Sequence, residues 1–346
     1  MSAMFRLDDD DEMLRWDAFI DAHPEGTPLH RSGWLKTISR TYAIDPWLFV
    51  SEDAAGAITA LAPFFRLKRP LSGYRLVSLP FSDFCGPLGL ERTDVRQLLQ
   101  KVLERASAKI KYIEIRGPLA DTPAFGAHFF YRRHVLRLHA DPQEVLKGVD
   151  KRTIQYNIRK ARREGVTIIE DNTLNGIGEF YRLYLLTRKK HGVPHQPKSF
   201  FLGLARNLVD KGCASVLLAA HGTRVVAGGL FLKHKKTVYY KYNVSDPTAL
   251  AKIVPNHLLT WTAIERACLD GYEALDFGRT SPENTGLMRY KQMWGADVQD
   301  LPYSYFPASF SKDENRKTLR LAMRIWRHLP ESVVSRLSPA LMRYLG

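Results

Sequence analysis

The stretch Tyr272–Gly295, YEALDFGRTSPENTGLMRYKQMWG, decides how this chain is read. It begins as a short apolar strand, Ala274, Leu275 and Phe277, with an acid at Asp276. A turn-rich segment, Gly278 to Asn284, follows, and a short helical run then presents Arg289, Lys291 and Trp294. Loops carry function where rigid elements hold them, and an acid leaving a strand beside a basic-aromatic helix has the parts of a site. Each part alone has a plainer reading: the aspartate as a turn residue, the lysine as a surface ion-pair partner. Together they gain weight, because the loop between them can bring strand end and helix onto one cleft.

Working outward, the second half alternates helices and strands. Asp141-Pro142 opens a helix, Asp150–Glu164 reads as a strongly basic helix closed by Gly165, and Val166–Glu170 as a strand. Helices over Leu174–His191 and Ser199–Lys211 precede strands at Ala214–His221, Val225–His234 and Thr237–Val244. A helix over Pro255–Leu269 leads back to the opening stretch, and a last strand runs to Phe306. The first half has the same order. Its helix Glu12–Ala22 and a second helix capped by Ser32 come before strands at Trp47–Ser51, Ala57–Leu67 (interrupted at Pro63) and Tyr74–Leu79. The loop Phe81–Pro87 then holds Asp83 between two aromatics, and a helix and two more strands follow. This pattern predicts an α+β fold of two similar layers, mixed β-sheets flanked by helices, with domains at 1–140 and 141–310 and a basic amphipathic helical tail at 311–346.

Composition sets outer limits. The 346 residues carry a formal net charge of +15, which favours an anionic partner: nucleic acid, an anionic membrane face or a phosphate-rich substrate. The N-terminus is acidic, the reverse of a secretory leader, and no apolar run is long enough to span a bilayer. Cys85, Cys213 and Cys268 are scattered, which predicts packed thiols in a reducing cytoplasm and no zinc site. The tail joins Leu319, Met323 and Trp326 to Arg316, Lys317, Arg320, Arg324 and Arg327. Such a helix docks on its own protein or lies on an anionic membrane.

Several chemistries are missing. There is no GxGxxG after a strand, no phosphate-binding GxxxxGK[ST] and no GxSxG elbow. Asp276-Phe277-Gly278 spells a kinase triplet without the catalytic loop that would give it meaning. His191 and His195 have metal-ligand spacing but lack the glutamate, and Pro194 interrupts a helix there. The basic segment offers Arg152, Arg159 and Arg163 near one stripe, either as a solvated face or as a cradle for phosphates.

Four segments carry a family likeness. They are KRTIQYNIRKARREGV (151–166), VYYKYNVSDP (238–247), PNHLLTWTAIERACLDGYEALDFGRT (255–280) and GLMRYKQMWGA (286–296). With FFRLKRPLSGYRLVSLPFSDFCGPLG (64–89), they resemble the FemAB family of non-ribosomal peptidyltransferases. The likeness spans roughly residues 15–306, and the ordered series DFG, GLxxYKxxWG is its most specific part. It implies two tandem GNAT-like (acyl-CoA N-acyltransferase) domains sharing a cleft, with no bound cofactor. It also implies aminoacyl transfer from aminoacyl-tRNA to an amine of a cell-envelope precursor, such as one for peptidoglycan or exopolysaccharide. Lys291 matches the family lysine thought to steady the acyl carboxyl end, and the Asp83 loop resembles an acidic stretch of the first domain.

The chain also departs from the family. There is no room for a long helical arm between Asp150 and Leu301, and the tail lies outside the core pattern. Acyl-CoA is the alternative donor. Its usual Q/R-x-x-G-x-G/A turn would fall at NVSDPTALAKIVPN (243–256), which has no glycine, although a helix starting at Pro255 still offers free N–H groups. The leading expectation is therefore an acyl- or aminoacyltransferase that forms an amide. Catalysis is expected from Lys291, Asp276 and Asp83, and substrate binding from Arg152, Arg159, Arg163, Tyr242, Asn256, Arg279, Tyr290 and Trp294. The expected place is the cytoplasm, with peripheral contact to the inner membrane face through residues 312–346. The competing class is a non-catalytic basic module that binds RNA or anionic lipid.

Overall fold

The computed structural model describes residues 2–68, 73–106, 109–120, 122–310 and 323–345. The chain divides into two compact units: Met1–Phe130 with Leu301–Glu314 and Ala340–Gly346, and Tyr131–Asp300 with Asn315–Pro339.

In the first unit, β1 (Ser2–Phe5), β2 (Pro46–Glu52), β3 (Ile58–Lys68), β4 (Tyr74–Val77) and β6 (Ile110–Ile115) lie side by side, with β5 (Leu88–Gly89) on β3. Every pairing is antiparallel except β4 with β6, which is parallel and needs the crossover helix α3 (Arg92–Arg105). Leu98, Leu99 and Val102 of α3 pack on Phe49, Phe64, Leu76 and Ile113. Helix α1 (Asp10–Ala22) is capped by Asp9, whose side chain accepts from Glu12 N, and it buries Met13, Trp16 and Ile20. Helix α2 (Ser32–Tyr42) adds Trp34, Leu35 and Ile38 to the interior. Strand β3 is not interrupted at Pro63. That residue stands opposite Leu48 of β2 in a continuous antiparallel ladder, and on the other edge it falls between the stretch paired with β5 (Ala60–Leu61) and the stretch paired with β4 (Phe65–Lys68).

In the second unit the order is β8 (Val166–Glu170), β9 (Ala214–His221), β10 (Arg224–His234), β11 (Thr237–Ser245), β12 (Ala274–Thr280) and β7 (Gly126–Arg137). Again one pair is parallel, β11 with β12, across a helical connection: α8 (Pro247–Ile253) and α9 (Pro255–Leu269). Around the sheet lie α4 (Pro142–Lys147), α5 (Tyr156–Arg163), α6 (Leu174–His191), α7 (Lys198–Leu204) and α10 (Thr285–Gln292). The expected basic helix starts as a π-helical turn, Lys151–Gln155, before α5. Alternate residues face opposite ways: Leu217, Ala219 and Phe231 meet Leu258, Leu259 and Trp261 of α9 in one core.

The units share one strand grammar, so the expected pair of similar layers is present, but they do not end where the sequence suggested. Strand β13 (Asp297–Phe306) places Ser304–Phe306 against Ile113–Ile115, in the first unit. Strand β7, which follows β6 directly, instead pairs its Arg132–Arg137 with β12. Each sheet thus takes its last strand from the other half of the sequence. The compact units therefore part near residues 130 and 300, not at 140 and 310.

Of the tail, residues 316–320 lie outside the described residues. Residues 323–328 are helical, and a second helix, α11 (Glu331–Leu345), buries Val334, Ser338 and Met342 at spacings of four.

Candidate active site

Strands β11 and β12 pair over only three residues, Thr237–Tyr239 with Ala274–Asp276. Both continue well past that point, β11 to Ser245 and β12 to Thr280. The ladder stops and the strands part, leaving an opening between two strand edges in the second unit.

Each edge carries a bulge. On β11, Tyr240 faces Phe231 and Tyr242 faces Leu230, so Lys241 is an extra residue. The insertion reverses the side-chain alternation. Tyr240 stays on the α9 face, 4.4 Å from the Phe231 ring, while Tyr242 turns to the other face and meets Tyr184 at 5.9 Å and Phe201 at 5.5 Å. Tyr242 is therefore separated from the Tyr240 side of the opening.

On β12 the register shifts between Asp276 and Arg279. The Asp276 carboxylate, 1% exposed as a residue, accepts from Arg133 Nε at 2.7 Å and from Gly278 N at 2.7 Å. Gly278 has φ 68°, a left-handed conformation that glycine adopts without strain. Asp276 thus pins the bulge. Arg279, just beyond, lays its guanidinium over the Tyr131 ring at 4.4 Å.

Lys291 of α10 is 5% exposed. Its Nζ donates to Phe277 O at 2.6 Å, Gly278 O at 3.0 Å and Arg279 O at 3.3 Å. An ammonium has three protons, and three main-chain carbonyls of the bulged edge take them. Asp276 grips the bulge through an N–H and Lys291 through its carbonyls. On the core side of β7 lies His134, fully buried, with neither ring nitrogen hydrogen-bonded. Burial, and then the nearby Lys291 charge, pull its pKa down to about 4, so the imidazole is neutral near pH 7.

A polar cluster lines the α9 side. The Tyr240 hydroxyl accepts from Asn243 Nδ2 at 2.7 Å, and Asn157 of α5 meets His257 Nε2 at 3.3 Å. The His257 ring stands edge-on to Tyr290 at 5.7 Å, and Tyr290 edge-on to Trp294 at 6.2 Å. Asn256 Oδ1, His257 Nδ1, Thr260 Oγ1, Tyr290 OH and Trp294 Nε1 are buried without a hydrogen-bond partner. Thr260 stands beside the Tyr240 and Tyr290 hydroxyls, and Tyr290 beside Trp294, but the polar atoms of Thr260, Tyr290 and Trp294 miss hydrogen-bond alignment. Burial pushes the Tyr240 and Tyr290 phenols up, so both stay protonated. Most native buried polar atoms find partners, so five such atoms around one opening set this place apart from the rest of the core.

Helix α9 starts at the same place. Pro255 is its first residue and no side chain caps it. Val254 before it has φ 44°, a conformation that costs a β-branched residue about 1–2 kcal/mol. The segment before it is not a plain loop: Asp246 caps α8 by accepting from Thr248 N.

The remaining predicted residues sit elsewhere. Arg152, Arg159 and Arg163 are exposed, on the π-helical turn and on α5, which packs on α9. Asp83 belongs to the first unit, in the loop after β4, and its carbonyl accepts from the Tyr303 hydroxyl. The structure thus gathers Asn256, Tyr290 and Trp294 in the cluster, with Lys291 and Asp276 holding the β12 bulge and Arg279 on that bulge. Sequence reasoning missed His134, Asn243, His257 and Thr260. His257 and Thr260 carried a signal, as polar residues one turn apart near a helix start.

Residues 150–292, which include both parted strands and Lys291, match the family described as Acetyltransferase (GNAT) domain. A UDP-N-acetylmuramoylpentapeptide-lysine N(6)-alanyltransferase of Weissella viridescens is 21% identical over 334 residues, covering 87% of this chain and 94% of that protein. Among solved structures, FemX superposes with a TM-score of 0.66 at 16% identity, covering 93% of this chain and all of the other. A tandem GNAT protein from the clavulanic acid biosynthesis pathway gives 0.55 at 13% identity over 90% of this chain and 99% of its own. The fold is that of two tandem GNAT-like domains.

Proposed function

We propose that this chain, a tandem GNAT-fold protein akin to the FemAB transferases, is an aminoacyltransferase of cell-envelope metabolism. It would move an acyl group from an activated ester to an amine of an envelope precursor and form an amide. The observation that carries the reading is the opening between β11 and β12, with five buried polar atoms beside it that lack partners. A substrate laid along the part of β11 beyond its pairing with β12 would complete those groups on binding. The uncapped start of α9 would face the acyl oxygen as it gains charge. Lys291 and Asp276 would act as positioning residues that fix the β12 edge, with the lysine adding positive charge at the acyl end. Arg152, Arg159 and Arg163 would take phosphates of the donor. Aminoacyl-tRNA is the proposed donor, in keeping with the alanyltransferase relative that spans 87% of the chain.

Purified protein offered charged tRNAs or acyl-CoAs, with lysine-bearing envelope precursors as acceptors, is expected to add one aminoacyl mass to the amine. Thr260→Val should cut that turnover at least about tenfold, while stability holds or rises by up to about 1 kcal/mol, since it deletes a buried hydroxyl without an aligned partner. No adduct from either donor class would remove the reading.

Among the described residues no helix is long and apolar enough to cross a membrane. We further propose a peripheral contact through α11. Beside its buried stripe, Val333, Leu337 and Leu341 are 37%, 45% and 37% exposed, and Arg336 flanks them. An apolar stripe edged with arginine suits an anionic bilayer. The protein is expected to sediment with anionic phospholipid vesicles and not with zwitterionic ones. Leu337→Glu with Leu341→Glu should abolish this without unfolding the chain; equal sedimentation of wild type and variant would dismiss the contact.

A further inference from the structure

A cavity of about 540 Å³ lies in the first unit, between the start of β2, the end of β3, the start of β4 and the last residues of α11. That volume fits a small-molecule ligand of moderate size. Arg66, Lys68 and Arg343 supply three cations to its lining, against one acid, Asp45. Arg66 places its guanidinium 4.8 Å from the Tyr74 ring centre and 5.9 Å from that of Trp47. Stacking uses the guanidinium face and leaves its edge N–H donors open to an acceptor. Arg343 is fixed at the rim by donating to Ala43 O at 3.2 Å, and Arg75 reaches the same rim by donating to Tyr344 O at 2.9 Å. No carboxylate among the described residues forms an ion pair with Arg66, Lys68 or Arg343.

We propose that this cavity binds a small phosphate-bearing ligand, with Arg66 and Lys68 on the phosphates and Arg343 closing from the C-terminal helix. Diphosphate is the favoured form, because its two phosphoryl groups can reach cations that come from separate elements, Arg66 and Lys68 on β3 and Arg343 on α11. Trp47, Tyr74 and Tyr344 in the lining add a place for an aromatic portion. The site is made wholly of first-unit residues, so it stands apart from the acyl-transfer reading of the second unit. Anchoring the ligand on Arg343 would also hold the end of α11.

Isothermal titration calorimetry of the full chain at low salt tests this with three probes: inorganic diphosphate, adenosine diphosphate and glycerol 3-phosphate. Diphosphate is expected to bind with one-to-one stoichiometry and to weaken at least tenfold in Arg66→Gln with Lys68→Gln. The exposed Arg96→Gln, on α3, should leave it unchanged. Adenosine diphosphate binding at least threefold tighter than diphosphate would identify a nucleotide ligand. Glycerol 3-phosphate binding tightest would identify a lipid-type head group. Absence of binding by all three probes, or equal weakening in Arg96→Gln, overturns the proposal. Unchanged circular dichroism and melting of the double variant guards against misfolding, and Arg343→Gln, at the rim, gives an independent loss of affinity.

Discussion

Lys291→Met is expected to destabilise the second unit by about 3 kcal/mol and to lower turnover at least about a hundredfold. The methionine keeps an unbranched stem but removes all three donors from Phe277 O, Gly278 O and Arg279 O. An unmet buried carbonyl costs about 1–3 kcal/mol, and a plain sum for three overshoots, because a bulged edge relaxes and admits water. Lost turnover follows from geometry: the β12 edge that the lysine holds forms one side of the opening. Urea unfolding monitored with turnover on the same samples checks both halves. If Lys291→Gln and Lys291→Ala turn over normally in a working assay, the lysine has no part in the reaction. If turnover falls with stability untouched, its part lies in direct substrate contact and not in the latch.

The latch also shows where reading from sequence works and where it stops. Strand, loop and basic-aromatic helix at Tyr272–Gly295 were legible because each is a local pattern, and Lys291 stood out through its neighbours. The partner of its ammonium was not legible. Sequence favours a carboxylate or phosphate for a lysine, whereas the acceptors are backbone carbonyls, which every residue possesses. The face that Tyr242 occupies was not legible for a different reason. VYYKYNVS reads as simple alternation, and only the extra residue at Lys241 puts Tyr240 and Tyr242 on opposite faces. The exchange of β7 and β13 rests on pairings far apart in the chain, which local periodicity does not carry. Helix α8 was legible but passed over: Asp246-Pro247 is a cap followed by proline at the first helical position. His134 looks like any strand residue, and only its burial without a partner sets it apart.

Asp276 gives the second large effect and the sharper division between roles. Its carboxylate makes two unlike bonds, one to a guanidinium and one to a backbone N–H. Asp276→Asn keeps an oxygen for Gly278 N and loses the charge that pairs with Arg133; Asp276→Ala loses both. Breaking a buried ion pair costs about 3–5 kcal/mol, and the Arg133 side chain, 27% exposed, recovers some hydration, which places Asp276→Ala near 3 kcal/mol. The asparagine variant should cost about half as much, because the turn at Gly278 survives. If Asp276 positions the bulge, turnover should follow the same order, with asparagine the milder change and the loss shared between kcat and KM. A proton-transferring aspartate behaves otherwise: asparagine and alanine would abolish kcat alike, and the asparagine variant would unfold close to wild type. The carboxylate's place favours the first outcome. Both of its oxygens are already engaged, and with the side chain fully shielded from solvent, a substrate amine would have to displace Arg133 to reach it.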